Sequence, residues 1–98
     1  MYQTQEVENY LRNYTSLSHL VMLNGDEDLH LSKVDLDTAM LKLRDTSYNL
    51  YSAIMGVFVY GNSIQSQAKA QKISKRQMLR RLDDGLHMLT MIMNGEVL

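Results

Sequence analysis

Apolar residues recur along most of this chain at intervals of three and four, the spacing that lines one face of an α-helix. Val7, Tyr10, Leu11, Tyr14, Leu17, Leu20 and Val21 form a stripe of near-heptad spacing that predicts a first helix over about Thr4 to Leu23. That face needs a partner, either the rest of the domain or the same helix of a second subunit. Asn24 to Asp28, NGDED, predicts a loop, because Asn-Gly interrupts a helix and adjacent acids repel. Leu36, Ala39, Met40 and Leu43 predict a second helix over Lys33 to Arg44. A third, Ser47 to Tyr60, carries Leu50, Tyr51, Ile54, Met55 and Phe58, and its β-branched end at Val57 and Val59 leaves a short strand open.

From Gly61 to Leu89 the pattern is helix, short turn, helix. Ile64 and Ala68 stand four apart in the first of the pair, and the small Ala68 permits close approach of the second. Ser74 is a strong N-cap residue, so a helix should begin there. Met78, Leu82, Leu86 and Leu89 then form its apolar stripe, with Lys75, Arg76, Gln77 and Arg80 on the other face. The helix continues through Met88, Met91, Ile92 and Met93, a flexible apolar surface suited to a core or to an adaptable seam, and Gly95 marks its end.

Composition bounds the architecture. The chain has 98 residues, 45% of them hydrophobic, five glycines, and neither proline nor tryptophan. That predicts one all-α domain of four to five helices, with a core modest enough for dimerisation to help it. Residues 1–32 would supply an N-terminal helix and acidic loop, and residues 33–98 a helical core with a C-terminal helix-turn-helix at about 62–93. The absence of cysteine excludes disulfides and thiolate zinc sites and makes a cytoplasmic protein the simplest reading. The opening MYQTQEVENYLRNY lacks a cationic start followed by an apolar run, and the longest apolar run, Ala53 to Tyr60, is too short to span a bilayer. The expectation is a protein that is neither secreted nor membrane-embedded.

Charge changes the picture more than composition does. The formal net charge is −1, yet Lys69, Lys72, Lys75, Arg76, Arg80 and Arg81 are the only ionisable residues from 69 to 81. Glu6, Glu8, Asp26, Glu27, Asp28, Asp35, Asp37 and Asp45 gather in the first half, so the C-terminal segment is the anion-facing end. In a helix-turn-helix the second helix lies in the major groove of double-stranded DNA. Lys75, Arg76, Gln77 and Arg80 would there meet base edges, where arginine pairs bidentately with guanine and glutamine with adenine, and Leu79 would touch a thymine methyl group. Ser63, Lys69, Lys72, Ser74 and Arg81 would meet phosphates. The plainer reading of the same residues is a helical hairpin with a solvated basic face.

These residues resemble a known family. From about Leu36 to Leu89 the chain is similar to region four of bacterial sigma factors and to the sigma-like helix-turn-helix of phage late-gene transcription regulators, of the ArpU type or the Q-type antiterminators. LDTAMLKL at Leu36 to Leu43 resembles the opening helix and VFVYGNSI at Val57 to Ile64 the glycine-containing link. Ala68 falls at the small position, Ile73 and Ser74 in the turn, and RRLDDGLHML at Arg80 to Leu89 in the second helix. The resemblance implies a phage-type transcription regulator acting at a promoter or operator, with RNA polymerase as a second partner. The apolar stripe of the N-terminal helix and the Met-rich C-terminal helix are, from their own pattern, the candidate seams of a homodimer. Four residues depart from the pattern. Gln67 and Gln71 stand at positions usually apolar, Arg81 where an apolar residue is common, and Lys72 replaces the turn glycine. Lys72 in a left-handed conformation would cost about 1 kcal/mol relative to glycine, unless the turn is built differently or packing compensates.

Catalytic chemistry finds little support. His19, His30 and His87 lie far apart, and Asp83 with His87, four apart, reads as a surface hydrogen bond. Asp26, Glu27 and Asp28 lack the alternating ligands of a calcium loop, and GNS at Gly61 is a link rather than a phosphate-cradling loop. No enzyme activity, cofactor or metal is expected. The alternative function is a helical interaction protein without DNA of its own, occupying a host or phage regulator through its N-terminal stripe and methionine surface.

Overall fold

The structure, a computed structural model, describes residues 1–14, 16 and 27–96, the side chains of 27–30 excepted. Its elements are α1 (Thr4–Arg12), α2 (Glu27–Thr46), α3 (Tyr48–Ile54), a π-helical turn (Met55–Val59), α4 (Ile64–Ala70) and α5 (Lys75–Met93). The fold is all-helical, and the strand left open at Val57 to Val59 is instead the π-helical turn.

Of the helix expected over Thr4 to Leu23, α1 covers Thr4–Arg12, Asn13 forms a turn, and Tyr14 and Ser16 are again helical. At the turn the Asn9 carbonyl accepts from both the Asn13 backbone amide at 3.1 Å and its side-chain amide at 2.8 Å. Val7 and Leu11 of the expected stripe are fully buried, and Tyr10 and Tyr14 pack against the core. Leu17, Leu20 and Val21, with Asn24 to Asp26 of the expected loop, lie outside the described residues. Glu27 and Asp28, expected in that loop, belong to α2, which starts six residues earlier than Lys33.

Helix α5 meets α1, α2, α3 and α4 and is the centre of the fold. Its predicted stripe is the one it buries: Met78 and Leu89 are fully enclosed, and Leu82 and Leu86 nearly so. On the other side of the core stand Leu36, Leu43 and Ile54, also fully enclosed. Gly85 admits Ile54 at the α3–α5 crossing, where a Cβ would lie 2.9 Å from the Ile54 Cγ1. The chain's two ends are tied as well. The Tyr2 amide donates to the Asn94 Oδ1 at 2.7 Å, and the Asn94 side chain returns a bond to the Tyr2 carbonyl at 3.0 Å.

Candidate nucleic-acid interface

Helix α4 begins at Ser63, whose hydroxyl accepts from the Ser66 amide at 3.0 Å. It ends in a Schellman arrangement: the Lys72 amide donates to the Lys69 carbonyl and the Ile73 amide to the Ala68 carbonyl. Lys72 takes φ 58°, so the left-handed turn that glycine would fill more cheaply is built with a lysine. Ile73 folds back onto the core beside the buried Ala68. Ser74 then caps α5 in a capping box, its hydroxyl accepting from the Gln77 amide at 3.1 Å while the Gln77 Oε1 accepts from the Ser74 amide at 3.0 Å. A short helix, a four-residue turn and a long helix are thereby fixed as one piece.

Above that turn Lys75, Arg76, Gln77, Leu79 and Arg80 are all exposed, as are Ser63, Lys69, Lys72 and Ser74. Arg76, Gln77 and Arg80 line one shallow depression on the outward face of α5. Opposite them Met78 and Leu82 anchor the same turns in the core, so these cations project from a rigid base. The opening turn of α5 contains no acid and its last turn no base. That arrangement opposes the helix dipole, which favours anions at the N-terminus by about 0.3–1 kcal/mol each. It concentrates positive potential at the tip of α5 at the expense of helix stability.

Two expected contacts have other employment. The Gln77 Oε1 is occupied by the capping box, leaving its amide N–H groups to face outward. Arg81 is half-buried and donates from Nη1 to the Gln71 Oε1 at 2.6 Å, bracing α5 against the end of α4. The Nε2 of that same Gln71 is buried without a partner. Among the described residues no cation from Lys69 to Arg81 pairs with a carboxylate.

The departure at Gln67 has a local cause that the sequence reading missed. Gln67 is buried and inserts its amide against Gly56 in the π-helical turn, where a Cβ on residue 56 would fall 2.2 Å from the Gln67 Oε1. Its Nε2 donates to the Ser52 carbonyl at 3.1 Å, and its Oε1 accepts from the Asn62 side chain at 3.2 Å. The π-helical widening and the missing side chain together make a polar socket that docks α4 onto the preceding helix. A glycine inside an apolar helical run was the available signal, since it marks close approach of another group.

Of the residues considered for catalysis, Asp83 and His87 are exposed and lie 3.6 Å apart, an i,i+4 surface contact. Among the described residues no three histidine or acidic side chains gather as a metal site, and no helix is long and apolar enough to cross a membrane. No protein-family model, no curated protein and no solved structure matches the chain.

Proposed function

We propose that the protein is a sequence-specific double-stranded DNA-binding transcription regulator of the phage late-gene type, reading its site with the first turns of α5. The observation that carries this reading is the exposed group Lys75, Arg76, Leu79 and Arg80, without carboxylate partners among the described residues and mounted on a capped helix whose inner face is locked in the core. Arg76 and Arg80 supply bidentate contacts to guanine, and Leu79, 47% exposed beside them, supplies apolar contact to a thymine methyl. Lys69, Lys72, Ser63 and Ser74 flank the same turn and hold phosphates; Gln77 and Arg81 serve first as cap and brace. The sigma-like resemblance adds a promoter or operator as the target and RNA polymerase as a second partner.

Selection of bound duplexes from random DNA tests this directly. Enrichment of a defined motif that is lost in the Arg76→Ala, Arg80→Ala double variant supports it. Failure to retain any duplex at low salt contradicts it and favours the interaction protein without DNA.

A further inference from the structure

The outer side of α2 is left unused by the reading above. Leu36, Ala39, Met40 and Leu43 fill the core side of this helix, while Leu31, Val34 and Leu41 stand 58%, 44% and 52% exposed. With the exposed Thr38 they follow at intervals of three, four and three, a single row along the side turned away from the core. A surface helix ordinarily carries one apolar stripe. This one carries two on opposite sides, of which one is buried by the fold.

The charges beside the row identify what covers it. On one flank stand Asp35 and Lys42, seven residues apart, and on the other Asp37 and Arg44, also seven apart. Each flank is acidic toward the N-terminus and basic toward the C-terminus. Two copies of α2 laid antiparallel across a two-fold axis near Thr38, close to the midpoint of 35 and 42, bring Asp35 of each level with the partner's Lys42. Parallel packing instead gathers the acidic turns together and the basic turns together. Thr38, the smallest residue of the row, falls where two crossing helices come nearest. Among the described residues Lys42 has no carboxylate partner, and Asp35 accepts from the neutral Tyr2 hydroxyl at 2.7 Å, so both charges remain to be matched. Asp37 is already shared with Lys33, which leaves Asp35 and Lys42 as the deciding pair. Of the other expected seams, Val7 and Leu11 of α1 are fully buried, and Met88, Ile92 and Met93 of α5 pack on the core.

We propose that the outer face of α2 is a self-association surface, on which a second copy of this chain packs antiparallel through Leu31, Val34, Thr38 and Leu41, with Asp35 facing the partner's Lys42 on both sides of the two-fold axis. The same patch meets itself, so the assembly closes at two copies. This assignment is independent of DNA binding.

Sedimentation equilibrium of the full chain from micromolar to millimolar concentration tests it. The mass should rise from 11.3 kDa toward twice that value. Leu41→Glu and Lys42→Asp should each weaken association by about tenfold or more, because each sets a charge against an apolar or like-charged neighbour. Asp35→Lys combined with Lys42→Asp should restore it; in parallel packing Lys42→Asp alone would strengthen association rather than weaken it, because it sets an acid beside the partner's Arg44. All three side chains are exposed, so unchanged helix content by circular dichroism separates lost association from lost folding. The proposal is overturned if the wild type stays monomeric at millimolar concentration. A dimer indifferent to Leu41→Glu, which would place the seam elsewhere, also overturns it, as does a double charge swap that fails to rescue.

Discussion

The two halves of the chain handle charge in opposite ways. In the α1–α2 half, ionised groups are largely engaged at home: Arg12 bonds Glu8 at 2.9 Å and lies over the Phe58 ring, Lys33 bonds Asp37 at 2.5 Å, and the Tyr2 and Tyr14 hydroxyls donate to Asp35 and Asp37. In the α4–α5 half Lys69, Lys72, Lys75, Arg76 and Arg80 stand outward, and among the described residues none pairs with a carboxylate. The first half shows what this protein does with charge that serves its own fold, and the second departs from that habit where the helix dipole makes the departure costly. Charge left unpaired against the helix dipole is the feature on which the proposed DNA contact rests.

The largest effect expected from this contrast is on binding. Arg76→Ala and Arg80→Ala should each cost about 1–3 kcal/mol on a selected DNA site and relax its base preference, without loss of thermal stability and with a small gain for Arg76→Ala, which relieves the helix dipole. An equal loss on all sequences would move these arginines from bases to phosphates. On the structural side, Gly56→Ala should destabilise the fold by about 1–3 kcal/mol through overpacking against Gln67. A double-mutant cycle with Gln67→Ala, followed by denaturant unfolding, should show strong coupling, since the truncated partner vacates the space. Additive losses would remove the socket from the account.

Lys72 sharpens the contrast further. Gly95 closes α5 with the same pair of backbone bonds that Lys72 makes at the end of α4, at φ 70° and without a side chain. Lys72→Gly should therefore stabilise the fold by about 1 kcal/mol. It should also weaken DNA binding and reduce its salt slope, so that strain and cation are retained together. A variant that gains stability and loses no affinity would show the strain to be unrelated to binding.

Tyr14 provides the matching test in the first half. Its burial, then its bond to Asp37 and that carboxylate's charge, push the phenol up to about 12 from 10.0. A raised folded-state value means that this contribution to stability is complete below pH 10 and is lost as pH climbs through 12. Tyr14→Phe should cost about 1 kcal/mol at neutral pH and shrink in effect across that alkaline window, with DNA affinity untouched. The smallest effect is expected at Lys69, where alanine should weaken all DNA about equally and lower the salt slope by about one phosphate's share.

Much of the second half was legible because its signals are local. Ser74 announced a helix start that the capping box with Gln77 realises, and Met78, Leu82, Leu86 and Leu89 announced the face that α5 buries. The departures at Gln67, Gln71, Lys72 and Arg81 were visible as departures, but their resolution depends on partners distant in sequence. Gln67 is accommodated by Gly56, and Arg81 by Gln71. In the first half the apolar period runs past Asn13, so nothing in the period itself reveals the turn there. The acids at Glu27 and Asp28 read as a loop when counted as repelling neighbours, yet both stand within α2. The row on the outer side of α2 was hidden by the same arithmetic, because two opposite stripes blur the periodicity of each.

The most direct measurement is the salt dependence of binding to a random DNA duplex by fluorescence anisotropy, wild type beside the Arg76→Ala, Arg80→Ala variant. Unpaired cations placed for phosphates and bases predict measurable binding at low salt that falls steeply and linearly in log–log form, with a shallower, weaker line for the variant. Absence of binding by the wild type at low salt, or superimposable lines for the two proteins, would contradict it.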